Sequence, residues 1–577
     1  MDPNHPRPDL PPESGGETSE TSPKEGGNGG NLGFPLFVDR HPEQGEGNLG
    51  FPLFVHRPGP GPEGIPPPEP RGYPGNLGML FSEHASTDRP AIVDLYDAAK
   101  PRALSFRELD ALCDAVAQGL RRAGLALGDR IAILSLNRHE FVATLFGAMR
   151  AGVVPVPINV KLAAETVHYI VQDAGAKLIF TEARSMRLCP SGVKLVEFGG
   201  TGDDAFDRFL QPGDFSPFDP LPESVAIQPY TSGSTGRPKG VLLTHYGQNW
   251  SRRILAHTRG TASKDVILVA APLYHKNALN AIKQGLTAGA MLPLLPSFSV
   301  ERYVEALGRY RCTVISGVPT MMSMVLARKD FLAQTDTSSV RTIMMGSAPS
   351  SPQLLTQLRA AFPNAEPLVV YGITEGGPVP LGPHPEGKAR PPDSIGVPYP
   401  GTEAKLTGGA QDDEGELVVR NPGVLLAYHN LRQETAARIR DGWYYTGDIC
   451  RRDRDGFYYF VGRTDDMFVC GGENIFPIEV ETLLERHSAV HQAYVMPFEH
   501  EMKGEVPYAF VVLRTGARAS EDELKQFALA NGPAYQHPRR VFFLEQLPLA
   551  GTNKIDQSEL RRWVAEGTLD TEGLRST

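Results

Sequence analysis

From Pro101 onward, short β-branched runs alternate with helix-length amphipathic stretches, and this alternation constrains the fold more than any other feature of the chain. Ser105 with Glu108 three residues later makes a capping box, in which hydroxyl and carboxylate satisfy two orphan backbone donors reciprocally. Leu109, Leu112, Val116 and Leu120 then recur at helical spacing until Gly124 can end the helix. Residues 131–134 read as a strand, 140–151 as a helix closed by Gly152, and 153–157 as the next strand. Further strands are expected at 177–180, 265–269 and 313–316, with the alternation running to about residue 440. Strands separated by helices build layered sheets, so the expected fold class is α/β, with a large, multi-layered N-terminal domain over residues 75–462. After Gly462 the texture becomes compact α+β over 115 residues, 463–577, enough for a small C-terminal domain.

Residues 1–74 differ from all of this. They hold 17 Pro and 14 Gly, 31 of 74 positions, a composition that cannot build a core, so a disordered tail is expected. Gly-Asn-Leu-Gly-Phe-Pro-Leu-Phe-Val occurs at 30–38 and again at 47–55, and Gly-Asn-Leu-Gly returns at 75–78. Two copies are fewer than a solenoid needs, so they read as a duplicated tail segment. The 57 Lys+Arg against 67 Asp+Glu leave a net charge of -10 with no concentrated basic run, which argues against nucleic acid as a partner. No apolar stretch approaches the roughly 18 residues of a membrane span, and the N-terminus lacks the apolar core of a signal peptide. A soluble, cytoplasmic protein is expected. The five cysteines are scattered without CxxC spacing, so neither a disulfide framework nor a zinc site is indicated.

Residues 230–240 carry the first chemistry. Thr231, Ser232, Gly233, Ser234, Thr235, Gly236 and Lys239 offer hydroxyls, exposed backbone N–H groups and a cation, which together suit a polyphosphate. The loop is not a Walker A motif, because Pro238 precedes Lys239 and Gly240 follows it. With Leu243-Thr244-His245 behind it, the loop resembles the signature of the adenylate-forming superfamily. That superfamily includes acyl-CoA and aryl-CoA synthetases, peptide-synthetase adenylation domains and luciferases. Later segments agree in order and spacing: Gly346-Ser347-Ala348-Pro349, Tyr371-Gly372-Ile373-Thr374-Glu375, Trp443-Tyr444-Tyr445-Thr446-Gly447-Asp448, Gly462-Arg463-Thr464-Asp465-Asp466 and Gly551-Thr552-Asn553-Lys554-Ile555.

The resemblance covers roughly residues 75–565. It implies an enzyme that forms an acyl-AMP from ATP and a carboxylic acid and passes the acyl group to a thiol, with a small domain that rotates between the two steps. It further implies that Glu375 binds Mg2+, that Thr374 contacts phosphate, and that the Gly346 to Pro349 backbone, Tyr371 and Gly372 line an adenine slot. Asp448 would accept from both ribose hydroxyls, a role that suits a carboxylate's paired acceptors. Arg463 would lie near the ribose, and Lys554 would bridge substrate carboxylate and α-phosphate. Asp465 is the expected hinge, and Gly471, Gly472 and Glu473 the loop lining the pantetheine tunnel of coenzyme A. Cys470 beside them reads as packing, since the reacting thiol belongs to coenzyme A.

His275 matches an aromatic position flanking the carboxylate channel of acyl-CoA and aryl-CoA synthetases, with a satisfied core histidine as the alternative. Amino-acid-activating relatives carry an aspartate near this point, whereas this chain has Lys276 and Asn277. Ile373 replaces the bulky tryptophan that shortens the pocket of short-chain enzymes. Ala278-Leu279-Asn280 resembles ligases of hydroxycinnamates, yet Asn277 and Ala281 stand where those enzymes place a tyrosine and a serine. If Lys276 faces the pocket, a second carboxylate or polar group on the acid would follow. The reading is an ATP-dependent acid:CoA ligase for a medium-sized apolar or aromatic carboxylic acid. Its alternatives are an enzyme that loads a carrier-protein pantetheine and a catalytically inactive nucleotide-binding regulator.

Overall fold

The computed structural model describes residues 75–231, 237–346, 350, 352–377, 379–549 and 555–569. Ser105 accepts from the Glu108 backbone at 3.2 Å and its own N–H donates to the Glu108 carboxylate at 2.7 Å, so the capping box opens the helix Phe106–Arg122 as the spacing requires. Gly124, with φ at +81°, follows the last turn in the left-handed conformation that glycine adopts without strain. This helix packs on His139–Arg150, whose twelve residues are all buried.

Beneath them lies a four-stranded parallel sheet in the order Val154–Pro157, Arg130–Leu134, Ala176–Glu182 and Lys194–Phe198. A second parallel sheet runs Ile267–Leu268, Val314–Gly317, Thr342–Gly346 and Glu366–Val370. Gly346 and Val370 are register partners at the carboxyl ends of its last two strands. The strands that end at Gly346 and Val370 therefore finish side by side, at the end of a parallel sheet where such folds bind ligands.

Alternation does not continue to residue 440. Between Leu381 and Arg463 the chain is antiparallel, with Glu403–Gln411, Glu414–Arg420, Trp443–Arg452, Ile439–Arg440 and Tyr458–Arg463 in one sheet and only the short helix Arg432–Arg438 among them. The physical reason is connection length: Asp412 and Asp413 alone join the first two strands, which permits a hairpin and no crossover.

After Arg463 a further mixed sheet contains Phe468–Cys470, Glu473–Ile475, Val490–His500, Gly504–Leu513 and Arg540–Leu544, with the helices Pro477–Glu485, Glu521–Asn531 and Gln557–Glu566. Its two buried clusters share no residue with the main core that runs from Leu77 to Tyr458. Cys470 is 2% exposed and belongs to one of them, in keeping with a packing role. Among the described residues no helix is long and apolar enough to cross a membrane.

Candidate functional site

Thr231 and Lys239 are register partners in the hairpin of Tyr230–Thr231 with Lys239–Thr244. Ser232, Gly233, Ser234, Thr235 and Gly236 lie outside the described residues. Gly240 follows Lys239 at a point where a Cβ would come within 2.8 Å of Gln228 Nε2 and 3.1 Å of His429 Cβ, so a side chain there would require these neighbours to shift. Lys239 is buried and its ammonium pairs with Glu434 Oε1 at 2.6 Å. The Thr231 hydroxyl donates to Glu375 Oε1 at 3.2 Å, and the Tyr428 hydroxyl donates to the same oxygen at 3.3 Å. Tyr428 and Tyr444 meet through their hydroxyls at 3.3 Å. A carboxylate flanked by a threonine hydroxyl is a set of hard oxygen donors, the kind that Mg2+ takes. The buried trio Asp94, His139 and Glu140 is different in kind: His139 Nδ1 lies 2.5 Å from Asp94 and 2.9 Å from Glu140, hydrogen-bond distances, and Arg138 pairs with Glu140 as well.

Gly346 is closed in by Val370, whose carbonyl oxygen would sit 2.8 Å from a Cβ, while Ser347, Ala348 and Pro349 lie outside the described residues. Tyr371 is buried and donates its hydroxyl to Asp448 Oδ2. Burial and the neighbouring Asp448 carboxylate hold the Tyr371 phenol well above its ordinary value. Asp448 is 2% exposed, and burial raises its pKa against the pull of Arg463 Nη1 at 3.4 Å. The two are register partners of the hairpin Trp443–Arg452 with Tyr458–Arg463, so strand pairing alone brings the arginine to the aspartate.

Thr374 and Glu375 are half-buried, and Gly372 is exposed. Lys276 holds this loop from the other side. Its ammonium donates to the Ile373 carbonyl at 2.7 Å and to the Thr374 carbonyl, so it is engaged with the loop backbone rather than offered as a partner for a second substrate carboxylate. Burial drives its pKa well below the ordinary lysine value, Lys283 adds to the fall and Glu375 opposes it. Lys283, two turns on, donates to Gln248 at 2.7 Å, and burial lowers it to about 7. His275 precedes the helix Lys276–Ala288 and meets the Tyr274 ring edge-on at 4.9 Å. Ala281 is buried, so no hydroxyl stands at that point of the helix.

Asp465 lies 3.6 Å from Arg438 and 3.9 Å from Arg463. Gly471 and Gly472 take φ of +63° and +95°, and a Cβ at either would meet nothing within 4 Å. Glycine there is required by the backbone turn and not by crowding, and the Gly471 N–H donates to the Lys503 carbonyl at 3.0 Å. Glu473 opens the next strand with its side chain exposed. Lys554 lies outside the described residues.

Thr231 with Glu375, and Tyr371 with Asp448 and Arg463, are thus two contact groups joined through the segment Tyr371 to Glu375, while His275 and the Gly471 turn belong to other elements. Glu434, Arg438 and Tyr428 were not singled out from the sequence, and Tyr444 was given only as part of the run from Trp443 to Asp448. The spacing of Glu434 and Arg438, four residues apart in a helix-length stretch, was the available signal for the first two.

A family model described as AMP-binding enzyme matches residues 81–429, and one described as AMP-binding enzyme C-terminal domain matches residues 479–554. A feruloyl-CoA synthase of Amycolatopsis sp is 34% identical over 475 residues, covering 80% of this chain and 94% of that protein. A 4-coumarate–CoA ligase of Vanilla planifolia is 32% identical over 517 residues, covering 84% and 92%. Among solved structures, the O-succinylbenzoate coenzyme A synthetase of Bacillus subtilis in complex with ATP and magnesium ion is similar with a TM-score of 0.71 and 28% identity, over 84% of this chain and 99% of that one. The chain belongs to the AMP-binding enzyme family. Its fold is that of the adenylate-forming enzymes, a large N-terminal α/β domain followed by a small C-terminal one.

Proposed function

We propose that this AMP-forming acid–thiol ligase uses ATP and Mg2+ to convert a medium-sized apolar or aromatic carboxylic acid to its acyl-AMP and then transfers the acyl group to coenzyme A. The observation that supports the reading most is the pair of contact groups, Thr231 with Glu375 and Tyr371 with Asp448 and Arg463, joined by the segment Tyr371 to Glu375 that follows the last strand of the second parallel sheet. In this reading Asp448 binds the ribose, Tyr371 and the strand end at Gly346 face the adenine, and Thr231 with Lys239 orients phosphate oxygens. Glu375 and Thr231 would hold Mg2+, which supplies charge neutralisation on the phosphates. Thr374 contacts phosphate, His275 flanks the carboxylate channel and Lys554 spans substrate carboxylate and α-phosphate. The chemistry asks the protein mainly for positioning and electrostatic stabilisation.

We place the domain border between residues 462 and 463, with Asp465 as hinge and Gly471, Gly472 and Glu473 along the pantetheine path. The names of the two curated relatives favour an aromatic acid, and Asn277 with Ala281 favours one that makes no demand for a tyrosine or serine at the ring end. A pyrophosphate-release screen across aryl, fatty and dicarboxylic acids, with and without coenzyme A, tests this. Release with aryl or medium-chain acids and thioester formation with free coenzyme A is the expected result. Thioester formation on a carrier protein alone would overturn the acceptor, and absence of release with every acid would favour a nucleotide-binding regulator.

A further inference from the structure

The charged groups of the proposed nucleotide site are joined to the hinge by two side chains that the nucleotide reading leaves without a task. Both stand on the short helix Arg432–Arg438. The Lys239 ammonium pairs with Glu434 Oε1 at 2.6 Å, and Arg438 Nε approaches the same oxygen at 3.8 Å. On its far side Arg438 Nη2 lies 3.6 Å from Asp465 Oδ2, which Arg463 also approaches at 3.9 Å. Arg463 in turn reaches Asp448 at 3.4 Å. The chain of contacts therefore runs from the lysine of the phosphate loop through one carboxylate and one guanidinium to Asp465, the proposed hinge.

The surroundings leave the side chains free to shift while the helix stays put. Thr435 is buried between them, its hydroxyl accepting from the Tyr428 backbone at 3.0 Å and donating to the Leu431 carbonyl at 2.9 Å. Glu434 and Arg438 are each about one quarter exposed. Gly447 makes room for the guanidinium, because a Cβ there would sit 3.0 Å from Arg438 Nη1.

We propose that Glu434 and Arg438 are positioning residues that couple phosphate occupancy at Lys239 to the backbone at Asp465. The proposal rests on the nucleotide and hinge roles assigned above. One carboxylate serves two cations. When phosphate oxygens engage Lys239, the Glu434 carboxylate keeps Arg438 as its remaining cation and draws it away from Asp465. When pyrophosphate leaves, Lys239 returns to Glu434 and Arg438 is released to Asp465. The hinge carboxylate would thus be held differently before and after adenylation, which is when the small domain must turn.

Hydrogen–deuterium exchange of residues 462–467 in the full chain, with and without a non-hydrolysable ATP analogue and Mg2+, reads the coupling directly. In the wild type the analogue should change exchange there by about fivefold or more, and in Glu434→Gln and Arg438→Met the change should shrink below about twofold while calorimetry shows analogue binding within about tenfold. The double variant should be no worse than either single one, since both cut the same link. In half-reactions, first-turnover pyrophosphate release should stay within about threefold while thioester formation from supplied acyl-AMP shifts by about fivefold or more, and Arg438→Lys should restore it. Wild-type responses in either single variant, or single effects that multiply in the double, would overturn the coupling. A wild type that fails to bind the analogue overturns the nucleotide reading instead, and one that binds it with unchanged exchange at 462–467 overturns the hinge; the inference falls with either. Should Arg438→Met lose its circular dichroism signal, Glu434→Gln alone carries the test.

Discussion

Replacing Lys276 by methionine is the sharpest probe of how the loop bearing Thr374 and Glu375 is held. The ammonium donates to the carbonyls of Ile373 and Thr374, tying the start of the helix Lys276–Ala288 to that loop. Its position is costly. A cation in the first turn faces the positive end of the helix dipole, worth about 0.3–1 kcal/mol, and burial adds a desolvation penalty reflected in its depressed pKa. Two hydrogen bonds from a charged donor contribute about 1.5–3 kcal/mol each before those costs. Methionine matches the length of the stem and removes bonds and penalties together, so folding stability should change by no more than about 1.5 kcal/mol.

The loop, however, loses its clamp, and a misplacement of about 1 Å at reacting groups costs on the order of a hundredfold. We expect kcat/KM for ATP in pyrophosphate release to fall about 30- to 100-fold, or roughly 2–2.7 kcal/mol of transition-state stabilisation. Thioester formation from supplied acyl-AMP, which needs no charge stabilisation at the β- and γ-phosphates, should fall by less than about fivefold. Rapid-quench measurement of both half-reactions, with thermal unfolding alongside, decides it. Equal losses in the two steps, or full adenylation at unchanged stability, would refute the reasoning.

Tyr371→Phe leaves buried Asp448 without the hydroxyl that donates to it, so the KM for ATP should rise about tenfold, with little change in kcat at saturation; an unchanged KM would show that the hydroxyl does not tune the carboxylate. Stability should peak between mildly acidic and neutral pH. Burial opposes ionisation of Glu140, but His139 and Arg138 hold its pKa at about 2, so its contribution is complete above 4.5 and is lost as pH falls toward 2. Burial likewise opposes protonation of His139, but Asp94 and Glu140 raise its pKa, so its contribution is complete below 6.5 and is lost as pH rises through the raised value. Urea midpoints near roughly pH 3, 5.5 and 9 should show both limbs, and His139→Gln should flatten the alkaline one. Removing residues 1–74 should leave turnover within about twofold, whereas removal through Phe81 should cost several kcal/mol, because fully buried Leu77 and Phe81 go with it.

The local parts of this fold were legible because local rules govern them. The capping box at Ser105, the strand Arg130–Leu134 and the buried helix before Gly152 depend on residues within one element of each other. What lay beyond reading depends on partners far along the chain. Asn76 donates to the carbonyls of Met149 at 2.9 Å and Phe218 at 3.1 Å, and the Leu77 N–H donates to His245 Nδ1 at 2.9 Å. Burial lowers His245 to about 3, which keeps its ring neutral and able to accept. The sequence showed this histidine only as the end of a Leu-Thr-His run. The direction of Lys276 was equally hidden, since the face a helical side chain takes is set by what packs on it. In the region 381–463 the apolar spacing serves hairpins as well as crossovers, and only the short connections told them apart.

The site's charged side chains are each paired within the protein, and this shapes what binding can achieve. Asp448 is held by Tyr371 and Arg463, Glu375 by Thr231 and Tyr428, and Lys239 by Glu434. At Glu375 and Lys239 a nucleotide would therefore exchange partners, each new contact adding only the difference between two hydrogen bonds, whereas Asp448 Oδ1, buried without a hydrogen bond and approached by Arg463 at 3.4 Å, would gain one. The compensation is preorganisation: side chains already fixed by bonds lose little further freedom when a ligand takes over one of them. It also means that a phosphate on Lys239 or a ribose on Asp448 sets a protein group free. Because Arg463 touches both Asp448 and Asp465, and Arg438 touches Asp465, the freed groups lie at the hinge and not at the periphery. Substitutions at Glu434 and Arg438 should accordingly alter the sequence of steps more than the affinity for ATP. A nucleotide affinity that drops sharply in the Glu434 variant, with the ratio of the two half-reactions preserved, would contradict that reasoning.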